Sequence, residues 1–266
     1  MLGEEVNAQE RRAGIVVFMD KPQDAAGLLG ERFAWSTSLV ASVARKEVHD
    51  LYIGRSTRGY MDTGWGNKHA VSGTSLRGRL TSIISCFDDL VVDKALRERL
   101  AELNAKVLGC WCSPKLCHGH MLSIASHEGI DVAGDFVDSL VAMVEELPTR
   151  ILVTGSRSWG GAEVMKKAFN DLWRANGKKP ITLVVGDAKG ADEIARGLWE
   201  SSGWPMEVFI PDWEGKGKSA GPKRNAAMIA SGVDGCLAFA DGDTPGTQGC
   251  IDAARKAGVI VKEFRS

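Results

Sequence analysis

The chain reads as α/β: a Rossmann-like C-terminal half, with a parallel five-stranded sheet and helices on both faces, follows a smaller N-terminal α/β domain. Three observations predict this. From Ile151 onward, uninterrupted apolar runs alternate with amphipathic stretches, the pattern of strands buried on both faces between covering helices. Each of the first four runs leads into a loop carrying Gly, Asp, Arg or Asn. Before Pro148 the alternation is irregular, and a glycine-rich loop and a dense Cys/His segment interrupt it.

Taken in order, residues 1–12 (MLGEEVNAQERR) are acidic and polar and are expected to form a mobile terminus. The N-terminal domain is placed at 13–148. Within it, 49–54 reads as a strand and 55–73 as a polar loop, with helical periodicity over 76–87 and 94–103 and a short strand at 106–111. A helix is predicted from Pro114, a residue tolerated in a first turn, through His127, and another over 135–147. Pro148 ends that helix and marks the boundary. In the second domain, 149–266, strands are predicted at 151–155, 181–186, 207–211, 235–239 and 259–263, with helices over 163–175, 191–201, 223–230 and 248–257.

Composition narrows the function. A length of 266 residues suits two ordinary domains, and 44% apolar with 25% charged residues is the balance of a globular protein. The net charge of −1 supplies no global field toward nucleic acid or anionic lipid, so neither is an expected partner. No apolar run reaches 18 residues and the first residues lack a signal-peptide pattern, which predicts a cytoplasmic protein with no membrane partner. The expected partner is a small molecule; homo-oligomerisation is left open.

In an open α/β sheet, ligands bind beyond the carboxyl ends of the strands. Four segments would converge there. Gly155, Ser156 and Arg157 follow the first strand and suit an anionic oxygen. Gly186, Asp187, Gly190 and Asp192 follow the second and open a helix, whose free N–H groups favour phosphate. Asp187 is assigned to a sugar hydroxyl and Asp192 either to the site or to capping that helix. A third segment, 216–225, carries Gly221, Lys223, Arg224 and Asn225; it reads either as ligand-binding or as a solvated basic loop. Gly246 and Thr247 lead into the last helix. Arg224 and Asp187 are the catalytic candidates, with Asn225 facing a base or sugar edge.

The segments Thr154–Arg157, Gly186–Asp192, Asp212-Trp213, Ala220–Asn225 and Gly246-Thr247 together resemble the YspA-like branch of the SLOG superfamily, named for the Smf/DprA and LOG proteins. The resemblance covers residues 150–266. It implies a pocket for a nucleotide-type ligand, such as a relative of NAD or ADP-ribose, in a superfamily of N-glycosidic hydrolases, ligand sensors and DNA-binding proteins. The LOG phosphoribohydrolases carry a catalytic Glu three residues after the Thr. Here that position is Cys250, so only the arginine of the LOG pair is matched, by Arg224.

The second concentrated signal is C-x-C-x4-C-H, formed by Cys110, Cys112, Cys117 and His118. Three thiols and an imidazole at a strand end, a turn and a helix start suit a closed tetrahedral zinc site. Packed reduced thiols, an iron–sulfur cluster and a reactive Cys117 thiolate are the alternatives. His120 reads as solvent-facing or as a replacement ligand, while Cys86, Cys236 and Cys250 read as core hydrophobes. Tyr52–Arg55, Trp65–Asn67 and the C-W-C-x-P-x-x-C-H-G stretch from Cys110 to Gly119 resemble an uncharacterised domain family of bacteriophage genomes. That family usually has Asn-Pro where this chain has Asn67-Lys68. The combined expectation is a phage-related protein that binds a nucleotide or nucleotide sugar. It would act as an enzyme near an N-glycosidic bond, with a non-catalytic sensor and a DNA-binding accessory protein as alternatives.

Overall fold

The computed structural model describes residues 25–265 except 58, 70, 72 and 243. The expectation for residues 1–12 lies outside the described residues. The described residues form two compact units: one from residues 25–71 and 76–147, the other from residues 73–75 and 148–265.

The N-terminal unit contains α1 (Ala25–Phe33), β1 (Val40–Ser42), β2 (Leu51–Tyr52), α2 (Leu76–Val92), α3 (Lys94–Glu98), β3 (Leu108–Cys110), α4 (His118–Glu128) and α5 (Ile130–Glu146). Its sheet is parallel and short, in the order β1-β3-β2. The central strand pairs Cys110 with Ser42 and Gly109 with Tyr52. Leu80 and Ile83 from α2, Leu108, Met121 and Ile124 from α4, and Phe136 and Leu140 from α5 form one apolar cluster.

Several expectations change here. α1 and β1 were not foreseen, and the strand expected at 49–54 shortens to Leu51–Tyr52; Ile53 N–H still donates to the Gly109 carbonyl at 3.0 Å with its side chain in the core, and Gly54 lines a cavity wall. The helix predicted from Pro114 begins at His118 instead. Lys115 N–H closes a turn onto the Cys112 carbonyl at 3.0 Å, and Cys117 is extended (φ −150°), so the helix cannot start earlier. The stretch expected as one helix over 94–103 is α3 followed by a 3-10 turn at Leu100–Leu103, while the Asp93 side chain caps α3 through Leu96 N–H.

The second unit has β4 (Thr149–Gly155), α6 (Ala162–Ala175), β5 (Ile181–Gly186), α7 (Ala191–Glu200), β6 (Met206–Phe209), α8 (Trp213–Lys216), α9 (Ala220–Ala230), β7 (Gly235–Ala240), α10 (Pro245–Lys256) and β8 (Ile260–Arg265). All five strands are parallel, in the order β6-β5-β4-β7-β8. Alternate residues of each strand face opposite sides. Val153, Val185 and Phe239 meet Phe169 and Trp199 on one face, while Leu152, Val184 and Cys236 meet Met228, Ile229 and Cys250 on the other. The chain builds outward from β4 to β6, then returns to lay β7 against the other side of β4, so a crevice opens between the carboxyl ends of β4 and β7.

Residues 73–75 complete this unit. Gly73 N–H donates to the Gly258 carbonyl and Thr74 N–H to Val233, while Ser75 pairs with Asp234. Gly73 has φ +72°, and a Cβ there would stand 2.3 Å from the Val233 oxygen, so glycine is required for this approach.

Candidate functional site

The four strand-end segments enclose a cavity of about 940 Å³. Of the sequence-assigned residues, Gly155, Arg157, Asp187, Asp192, Gly221, Arg224, Asn225, Gly246 and Thr247 line it, whereas Ser156, Gly186, Gly190 and Lys223 do not. The four outside the lining have identifiable structural places. The buried Ser156 hydroxyl accepts from Asp241 N–H at 2.7 Å and lies 3.0 Å from the Thr244 hydroxyl, tying the loop after β4 to the loop after β7. A Cβ on Gly186 would stand 1.5 Å from Arg224 Nη1, so this glycine makes room for the guanidinium. Gly190, at φ +74°, packs against the carbonyls of Ser156 and Arg157. The segment 216–225 is helical rather than a loop over much of its length; from α9, Gly221, Arg224 and Asn225 share one face, and Lys223 is exposed about a quarter-turn away.

Arg224 organises the wall. Its Nη1 lies 3.6 Å from Asp187 Oδ1 and 3.5 Å from Asp192 Oδ2, and its Nε donates to Asn225 Oδ1 at 3.0 Å. The Asp192 side chain is only 6% exposed, against 34% for Asp187. Burial pushes the Asp192 carboxyl up to about 6, although Arg224 and the Ala188 N–H pull in the opposite direction. Asp187 and Asp192 therefore differ in environment while sharing one cation, an arrangement able to separate acid and base roles. Lys189 and Lys218 add positive charge to the lining, and the half-exposed Trp213 adds a flat apolar face. Neither Trp213 nor Lys218 was given a role of its own from the sequence; Trp213 opens α8, and Lys218 sits in the 3-10 turn at Gly217–Ser219 that joins α8 to α9.

Cys250, which stands where the LOG proteins carry Glu, is fully buried in the apolar cluster with Leu152, Val184 and Met228. Burial raises its thiol pKa, and a hydrogen bond with Thr154 only partly opposes that. It reads as a core residue.

In the N-terminal unit, the ligand atoms of Cys110, Cys117 and His118 lie within 4.8 Å of one another, and all three residues are buried. His118 Nε2 meets the Ile53 carbonyl at 2.9 Å, which leaves Nδ1 for a metal, and the ring is also hydrogen-bonded to the Cys110 side chain. A ring N–H held by a carbonyl is the usual support for a metal-binding histidine. Cys112 is outside the converged set; its backbone N–H donates to Cys110 Sγ at 3.4 Å. His120 is buried rather than solvent-facing, and its Nδ1 accepts from Cys117 N–H at 3.2 Å as a helix cap. Burial lowers its pKa to about 4, keeping the ring neutral. Two soft sulfur donors and an imidazole are a donor set that fits zinc.

Residues 40–127 match a family described as a domain of unknown function (DUF4326), and residues 149–215 match the family described as YspA, cpYpsA-related SLOG. The chain is also 41% identical over 122 residues to the Gene 61 protein of Mycobacterium phage D29, an alignment covering 43% of this chain and 95% of that protein. No solved structure matches. Among the described residues, no helix is long and apolar enough to cross a membrane. The chain thus belongs to the DUF4326 family in its N-terminal region and to the YspA-related SLOG family in its C-terminal region, and it has a phage relative.

Proposed function

We propose that the SLOG domain binds a nucleotide or nucleotide sugar in the cavity at the β4/β7 switch point and acts on its N-glycosidic bond. The observation that carries this reading is Arg224 held between Asp187 and Asp192 on the cavity wall. Arg157, Lys189 and Lys218 would meet the phosphate, Trp213 the base face, and Asn225 a base or sugar edge. Cleavage breaks the bond between the anomeric carbon and the base nitrogen; water adds to that carbon, and the departing base takes a proton. Asp187, the more exposed carboxylate, suits stabilisation of the cationic sugar and activation of water. Asp192, with its raised pKa, suits proton donation near neutral pH.

Incubation with nucleoside monophosphates should release free base, and Asp187→Asn and Asp192→Asn should each reduce the rate at least about a hundredfold. Release that survives both substitutions would reject this mechanism. The alternative is a sensor of an NAD- or ADP-ribose-type nucleotide, favoured by Cys250 in place of the LOG carboxylate. Its signature is a thermal shift with ADP-ribose or NAD without any base release.

We also propose that the DUF4326 domain binds zinc through Cys110, Cys117 and His118. Elemental analysis of protein purified without added metal should show about one zinc per chain. Metal-free protein with an intact fold and one unusually reactive thiol would favour the nucleophile reading of Cys117.

A further inference from the structure

A second cavity, of about 310 Å³, lies wholly within the N-terminal unit. All three converged ligands line it, together with Cys112, Arg79, Asn67, His69 and Trp111. A metal held by three protein ligands keeps a fourth tetrahedral position, and a closed structural site would need another protein donor there. Cys112, the only further donor the C-x-C-x4-C-H spacing offers, does not converge with the other three.

The same cavity holds a cation without a counterion. Among the described residues no carboxylate pairs with Arg79, and its Nε is buried without a hydrogen-bond partner. Asp89, outside the lining, pairs instead with the lining His69, at 2.9 Å from its Nε2. Asn67 is held as well, donating to the Ser82 carbonyl and hydroxyl, so the polar wall around Arg79 is fixed by other bonds. A half-buried arginine whose buried Nε lacks a partner, lining the same cavity as a three-ligand metal set, has the chemistry of an oxyanion site.

We propose that this cavity is a second ligand site, in which a metal on Cys110, Cys117 and His118 keeps its fourth position open to an oxyanion-bearing small molecule whose charged group Arg79 binds. This rests on the metal reading above. Phosphate and carboxylate groups share the required chemistry. The half-exposed Trp111, steadied by its Nε1 donating to the Tyr52 hydroxyl at 3.1 Å, forms an aromatic part of the cavity lining beside them.

The test uses the full chain loaded with Co²⁺, whose visible absorption reports thiolate coordination and coordination number. Cys112→Ser should keep about one cobalt per chain with an unchanged spectrum, whereas Cys117→Ser should lose it. Titration with inorganic phosphate, and separately with acetate, should perturb the cobalt bands for whichever anion the site accepts. Arg79→Gln should keep the metal and weaken that response roughly tenfold to a hundredfold. Full cobalt occupancy with loss of metal in Cys112→Ser, or with spectra indifferent to both anions, overturns the open site while leaving the metal reading intact. A wild-type chain that takes up no cobalt or zinc overturns both.

Discussion

The two units reach a site by different routes. In the C-terminal unit, the five-stranded sheet has apolar clusters on both faces, and the candidate site sits in the crevice that strand order creates. In the N-terminal unit the strands are only two or three residues long, and the site gathers at the end of β3, where a turn and the start of α4 bring thiols and an imidazole together. Topology places the first site; a few side chains place the second. The contrast predicts that the long parallel sheet keeps its fold when a site residue is lost, whereas the short sheet beside the ligand cluster responds more strongly to loss of those ligands.

The largest expected effect tests that dependence. The proposed metal would join the end of β3 to the start of α4, and a ligand bound only by the folded state adds about 4 kcal/mol at a thousandfold excess over its Kd. Chelation, or Cys117→Ser, should therefore lower the protection of the N-terminal unit while β4, β5 and β7 keep theirs, as read by hydrogen exchange. Equal loss of protection in both units would break the comparison.

Arg224→Ala comes next. Its side chain is 13% exposed and faces two carboxylates, so removal leaves the buried Asp192 without its cation. A cost of about 3 kcal/mol is expected from stranding such a group, together with loss of nucleotide-induced thermal shift. Arg224 thus serves the fold of the site as well as ligand charge, and an unliganded melting temperature equal to wild type would contradict the pairing.

Gly186→Ala should cost less, about 2 kcal/mol, because the new methyl displaces the guanidinium rather than the sheet. Calorimetric titration with ADP-ribose should show affinity falling more than stability. Wild-type affinity would mean that Arg224 moves freely and is not held by its wall.

The smallest effect, taken per pH unit, is a pH gradient from Asp192. Its carboxyl titrates near 6 in the folded protein against an ordinary 3.8, so the folded state holds the proton to higher pH. Stability of the C-terminal unit should therefore fall as pH rises between those values, by at most about 1.4 kcal/mol per pH unit, with no further change below or above the window. Comparing the denaturation of Asp192→Asn with wild type across that range isolates the gradient; identical slopes would remove the case for a raised carboxyl.

The alternation of apolar runs and amphipathic stretches was sufficient to specify the parallel sheet, its five strands and the four strand-end segments that contribute to the large cavity, because strand period, helix period and turn glycines are local properties of a chain. The Cys/His segment was equally visible as a metal-type pattern. Other features were settled only by tertiary structure. Gly186 makes room for Arg224, Ser156 ties two loops together, and Lys223 turns outward because α9 begins at Ala220. Arg79 and His69 come to the thiols from about thirty to fifty residues away in sequence, and residues 73–75 complete the other unit. Such meetings depend on strand register and helix packing over long separations, which no local periodicity encodes.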